Sequence, residues 1–357
     1  MTISSCRTAL AAMLLASVAF PAAAEPVFNR IASFAVADNL PEGDARKEAT
    51  SAEIITATED GNTLIYSDSP GKRIGLIDII EAKAPKAAGT VSFEGEPTSV
   101  TVAGAKALVA VNTRESFTRP SGFLATVDVA SKKVEATCDL GGQPDSVAVS
   151  KDRTLAAIAI ENERDEEVND GKIPQMPAGD LVILSLKDGV ADCATIKHVT
   201  LTGLAEVAGD DPEPEFVSFN GKDEIALTLQ ENNHIVIIDA KSATVKTHFS
   251  AGAVDLKDID TKRDGAIAFK DEQPGRKREP DAVKWLDDDR IVVANEGDYE
   301  GGSRGFTIFD TAGKVLFESG ASFEQAIASI GHYPEKRSSA KGVEPEGLEA
   351  AKFGDDN

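Results

Sequence analysis

Tryptophan occurs once in the 357 residues, tyrosine and cysteine three times each and histidine four times, and aromatic residues make up only 5%. Basic residues are scarce too: 37 Lys plus Arg stand against 60 Asp plus Glu, a formal charge of −23. A field of that sign repels phosphate backbones and anionic headgroups, so nucleic acid and membrane surfaces are poor partners and cations fit better. Beyond the N-terminus no apolar run approaches the roughly 20 residues of a membrane-spanning helix. HExxH and P-loop motifs are missing. His198, His234, His248 and His332 are scattered and read as packing or surface residues.

The one long apolar run lies at the start. Arg7 gives a positive leader, Thr8 to Phe20 is apolar but too short to span a bilayer, and Ala22, Ala23 and Ala24 are the small residues a signal peptidase needs. The expected division is a signal peptide over 1–24, cleaved before Glu25, and one β-rich domain over 25–357. Cleavage removes Cys6 and Arg7, leaves a charge of −24, and delivers a periplasmic or secreted protein. Cys138 and Cys193 remain, in a compartment where disulfides persist. They stand at opposite ends of two comparable predicted strands, VEATCDL and DCATIKHVTL, so their pairing is left open. Nothing about their spacing suggests a metal or redox pair.

Self-similarity sets the fold class. A signature of acid or glutamine, proline, polar residue and aliphatic recurs as Glu96-Pro97-Thr98-Ser99-Val100, Gln143-Pro144-Asp145-Ser146-Val147, Pro214-Glu215-Phe216-Val217, Glu279-Pro280-Asp281-Ala282-Val283 and Glu344-Pro345-Glu346-Gly347-Leu348. After each of the first four come a polar turn, an apolar strand, a loop and two further strands; residues 51–93 repeat these events without the proline. Four short strands per unit is the pattern of a β-propeller blade, so the chain is predicted to be all-β, with five complete four-stranded antiparallel blades over 51–320. One helix is expected over Ser322 to Ile330, capped by Ser322, with Phe323, Ile327 and Ile330 on one face. Residues 27–36 read as a strand completing the last blade, and 344–357 as the opening of another. These orphan ends predict a ring of about seven blades, truncated here at its C-terminus.

Acids recur at one place in each unit. Asp68, Glu115, Glu161, Glu231 and Glu296 follow the second strand, while Glu96, Asp145, Glu215, Asp281 and Glu346 introduce the first. Antiparallel pairing puts these two positions at the same end of a blade, so two rings of carboxylates are expected on one face beside the central channel. Crowded carboxylates raise one another's pKa unless a cation is held, and calcium, which accepts six to eight oxygens in irregular geometry, is the expected cofactor; a solvated acidic rim is the other outcome. Glu296, Asp298 and Glu346 are the candidate metal ligands there. Asp260 opens a second candidate: it and Asp264 stand at positions 1 and 5 of a calcium-loop frame, with Gly265 at 6, Ile267 at 8 and Asp271 at 12, but Lys262 holds position 3, where an oxygen is needed. The run Gly301-Gly302-Ser303-Arg304-Gly305 falls between strands and suits a hairpin better than a phosphate cradle. Arg304 is the candidate for binding an anionic substrate beside the carboxylates.

Four stretches carry a likeness: Asp264-Gly265-Ala266-Ile267, Ala294-Asn295-Glu296-Gly297-Asp298, Gly302-Ser303-Arg304-Gly305-Phe306 and Lys341-Gly342-Val343-Glu344-Pro345-Glu346-Gly347-Leu348. In this order they resemble the secreted bacterial propellers of the choice-of-anchor I, or surface-layer-like, group and their phytase-like and esterase-like relatives. The resemblance implies an exported propeller of about seven blades, often carrying a hydrolase label. Tyr299 and Glu300 depart from the Asn-Glu-Gly-Asp-Ala-Arg form of that group, so Arg304 would have to take the arginine's part. Two functions follow as expectations. One is a cell-envelope or extracellular binding or scaffold protein whose acidic face takes a cation, a small molecule or a protein. The other is a calcium-dependent hydrolase of phosphate or carboxylate esters, with the metal on Glu296, Asp298 and Glu346.

Overall fold

The segments 106–112, 155–160 and 224–229 are apolar along most of their length, as strands covered on both faces must be. Each forms the second strand of a blade. The computed structural model describes residues 29–297 and 299–352; the expected signal peptide lies outside the described residues. Blade 1 holds β1 (Ile55–Ala57), β2 (Thr63–Asp68), β3 (Arg73–Asp78) and β4 (Lys86–Ser92). Blade 2 holds β5 (Glu96–Ala103), β6 (Lys106–Asn112), β7 (Gly122–Asp128) and β8 (Lys133–Asp139). Blade 3 holds β9 (Pro144–Val149), β10 (Leu155–Ile160), β11 (Asp180–Lys187) and β12 (Val190–Val199), and blade 4 holds β13 (Pro214–Phe219), β14 (Glu224–Leu229), β15 (His234–Asp239) and β16 (Thr244–Ser250). A hairpin of β17 (Ala253–Ile259) and β18 (Asp271–Lys277) precedes blade 5, which holds β19 (Val283–Trp285), β20 (Arg290–Ala294), β21 (Phe306–Asp310) and β22 (Val315–Glu318).

The five expected four-stranded blades are therefore present, and the all-β propeller-like reading holds. The hairpin is an addition to it: half the residues of β17 and β18 are exposed and half are charged, so their apolar signal is weak. Apolar layers fill the space between successive blades, with Ile65 and Val109 in the first, Leu124 and Ile158 in the second, Leu181 and Val236 in the third and Ile237 and Phe309 in the fourth. The inner strands β1, β5, β9, β13 and β19 line one axial cavity of 540 Å3. Residues 347–350 line it as well. The expected strand there lacks a ladder: residues 344–352 have no regular structure, although 347–350 lie beside the inner strands.

The strand expected over 27–36 is not formed in its described part. Residues 29–35 are irregular and Val36–Asn39 is a turn of 3-10 helix. Its role is a cap. The β3–β4 ladder shifts register between Gly75 and Ile77, which leaves backbone groups unpaired. Buried Asn39 takes them: its Nδ2 donates to the Leu76 and Gly89 carbonyls, both at 3.0 Å, and its Oδ1 accepts the Gly89 N–H at 2.8 Å. Helix α1 (Ser322–Ser329) forms one residue short of the expected end, and the Ser322 hydroxyl bonds back to the Ser319 carbonyl instead of capping. Ile330 is exposed, and the helix's buried residue is Glu324.

The two cysteines are bonded, with Cα atoms 5.2 Å apart, and so staple blade 2 to blade 3. A break in the β11–β12 ladder brings them together. Ile183 pairs with Lys197 but Ser185 with Asp192, so the four residues 193–196 stand opposite Leu184 alone and Cys193 swings out of its sheet toward Cys138.

Candidate cation site

Proline has no N–H to give a ladder, and in blades 2 to 4 the signature proline sits where the inner strand begins. The ladder breaks just after it. Thr98 is the extra residue between Pro97 and Ser99 in blade 2, Asp145 and Ser146 oppose one residue of β10, and Glu215 and Phe216 oppose one residue of β14. Such a bulge re-aims its side chains. Here the first bulged residue turns to the axis, while the serine after it bonds the next blade: Ser99 Oγ accepts the Val147 N–H and Ser146 Oγ the Val217 N–H, both at 3.3 Å.

The result is a cavity of 160 Å3 at one mouth of the channel, lined by Glu53, Asp145, Glu215, Asp281, Glu296 and Glu346 among others. Asp145, Glu161 and Glu215 form its tightest group, each offering a carboxylate oxygen within 4.8 Å of the others. Glu161 is 8% exposed, while Asp145 and Glu215 keep contact with the channel. Burial, then the charge of Glu163, pushes Asp145 up to about 7. Burial followed by Asp145 raises Glu161 well above the usual range, and burial followed by Glu161 does the same for Glu215. Asp281 is raised in the same way by burial and by Asp145. The hydrogen-bond donor to Glu161 is an amide, Gln143 Nε2 at 3.1 Å, and Gln230 Nε2 holds Glu296 at 2.6 Å. No lysine or arginine among the described residues pairs with Asp145, Glu161 or Glu215.

Of the expected ligands, Glu296 and Glu346 line this mouth but stand outside the tight group, and Asp298 lies outside the described residues. Asp68 is tied up by Arg73 at 2.8 Å, Glu115 pairs with Arg119 on the surface, Glu231 pairs with Arg164 at 2.5 Å, and Glu96 is exposed at the rim. The rings are thus partial, built from blades 3 to 5 together with Glu346. The loop from Asp260 does not gather its acids. Asp260 is buried against Ser338 and the Lys262 N–H, Asp264 is exposed and caps the Ala266 N–H, and the Lys262 ammonium sits 3.7 Å from Asp271.

Arg304 is corrected from substrate binder to internal clamp. It has no exposed surface, and its guanidinium donates to the carbonyls of Asp260 and Ser338, both at 2.9 Å, with Glu324 at 3.5 Å. Residues missed in the sequence are Glu53, Glu163 and the amides Gln143 and Gln230. Glu53 is the acid of the one blade opening that lacks proline, and Glu163 stands two residues past Glu161 in the loop after β10. The histidines read as expected: His234 is buried against His248 at 2.9 Å and His198 meets Asp180 at the surface.

Residues 53–301 and 299–357 match the model of the choice-of-anchor I domain. No curated protein matches the sequence. Among solved structures, a chain of Kuenenia stuttgartiensis hydrazine synthase superposes with a TM-score of 0.49 at 13% identity, over 73% of this chain and 71% of that one. No described helix is long and apolar enough to cross a membrane. The family match points to an exported or cell-surface bacterial protein. Since it covers most of the sequence, this chain belongs to the choice-of-anchor I domain family.

Proposed function

We propose that this chain is a periplasmic or secreted binding propeller whose channel mouth holds a divalent cation, calcium in the first instance, on Asp145, Glu161 and Glu215. The observation that carries this reading is three carboxylates from two blades, with oxygens within 4.8 Å and no basic partner among the described residues. Alone, such a group relieves its repulsion by keeping protons; a cation replaces them. Asp281, Glu296 and Glu346 line the same cavity and extend the oxygen shell. An all-oxygen, irregular set suits calcium. The ion would in turn present a positive point on an acidic face, to which a ligand or protein partner docks. An ester hydrolase would use the same ion as its Lewis acid, so the ion is the first thing to establish.

The test is elemental analysis and thermal unfolding of the purified full-length protein. One calcium per chain is expected, with stabilisation following RT ln(1 + [L]/Kd), about 2.7 kcal/mol at one hundred times Kd. Asp145→Asn combined with Glu215→Gln should remove most of that shift. A melting temperature indifferent to both calcium and chelator would reduce the mouth to a solvated acidic rim.

A further inference from the structure

Glu279 stands two residues ahead of Asp281 and has no exposed surface. Its φ of +44° lies in the left-handed region, which a glutamate enters only when its surroundings hold it there. Its carboxylate accepts three successive backbone N–H groups, from Tyr299 at 3.1 Å, Glu300 at 2.9 Å and Gly301 at 3.2 Å. Its own carbonyl accepts the Gly297 N–H at 3.2 Å, and its N–H donates to Asn233 Oδ1 at 2.9 Å. Consecutive N–H groups curled round an anion form a nest of the kind that elsewhere holds phosphate. In this protein the chain supplies the anion itself. The loop also closes tightly, with the Gly302 N–H on the Gly297 carbonyl at 3.3 Å, and a Cβ added to Gly297 would lie 1.5 Å from the Gly302 nitrogen.

That loop leaves β20 at Ala294, and Glu296, two residues on, lines the channel mouth. We propose that Glu279 is the positioning residue of blade 5: by holding the backbone of 299–301 around a buried carboxylate it fixes Glu296 on one side and Asp281 on the other at the mouth. This rests on the cation reading above. An amide at 279 offers one acceptor oxygen and turns an NH2 group on the same N–H donors, so the loop loses its template while the blade keeps its core.

Hydrogen exchange of the peptide spanning 296–302 and calorimetric titration with calcium alone test this in the full chain. For Glu279→Gln the expected result is at least tenfold faster exchange in that peptide, unchanged exchange in β10 and β14, and a calcium Kd weakened at least tenfold. Glu279→Asp, which keeps the carboxylate, should restore part of both effects, and it carries the test if Glu279→Gln does not fold. Exchange unchanged in the variants, or a freed loop with an unchanged calcium Kd, overturns the positioning role. A wild-type chain that takes no calcium overturns the cation reading instead, a result distinct from variants that bind as wild type does.

Discussion

Acid should stabilise this protein when calcium is removed. Burial pushes Asp145 up to about 7 and holds Glu161 and Glu215 well above their usual range. Above the unfolded values of 3.8 for aspartate and 4.5 for glutamate, and below these raised values, the folded chain keeps protons that the unfolded chain has released. Stability is therefore greatest on the acid side and is lost as the pH climbs toward 7. Each retained proton is worth a slope of about 1.4 kcal/mol per pH unit. Channel water screens the group, so one proton rather than three is the working figure. Unfolding roughly 330 residues carries about 0.7 kcal/mol/K of entropy, so the melting temperature in EDTA should fall by about 2 °C per unit between pH 5 and 7. Excess calcium should flatten that fall, because the ion takes the place of the protons. Scanning calorimetry at fixed ionic strength reads both slopes. The charge of −23 gives a background slope of the same sign, so the comparison is with variants: Asp145→Asn with Glu215→Gln should flatten the dependence, whereas Asp287→Asn with Asp288→Asn, in the turn at the other end of blade 5, should not. A slope that survives the first pair, or a melting temperature that rises from pH 5 to 7 in EDTA, refutes the reasoning.

Two further outcomes test the frame around the mouth. Replacing both Cys138 and Cys193 by alanine opens a link between residues 55 apart, which chain entropy values at about 4 kcal/mol, or about 6 °C in melting temperature for a chain of this size; reductant should lower the wild type's melting temperature and leave the variant's alone, and identical wild-type curves with and without reductant would contradict the link. Asn39→Ala strips partners from the Leu76 and Gly89 backbone groups and should cost about 2–3 kcal/mol, with faster amide exchange in β4 and none in β14. Unchanged protection of Gly89 would mean that Asn39 is no cap.

The blades were legible because their signal is made of many residues acting alike: turn residues, apolar second strands and a repeated proline. The site was only half legible. Asp145, Glu161 and Glu215 all belonged to the recurrent acids, yet nothing in a linear repeat says which units turn their acids on one another and which, like Asp68 beside Arg73, spend them on a local ion pair. Glu296 and Glu346 drew attention because they stand in conspicuous words, but the tight group was decided by bulges that only pairing reveals. Arg304 misled for a related reason. Nearby in sequence is Glu296, which lines the channel mouth, while its neighbours in space are carbonyls of segments 34 and 44 residues away. The link between Cys138 and Cys193 hinged on a four-residue break in β12, and Asn39 on an irregular turn, neither of which has a periodicity to read.

In blades 2 to 4 the break after the signature proline separates two jobs that most strand residues must do together. Pro97, Pro144 and Pro214 anchor the inner strand, and Ser99 and Ser146 tie it to the next blade, while the residue after the proline lines the channel mouth. That residue is threonine in blade 2, aspartate in blade 3 and glutamate in blade 4. Because its side chain stands outside the apolar layers between blades, it differs from one of these blades to the next, and each acts as a socket whose occupant sets the chemistry of its sector. One scaffold of this kind is retuned a sector at a time, by point substitution, from a neutral rim to a dense ring of oxygens.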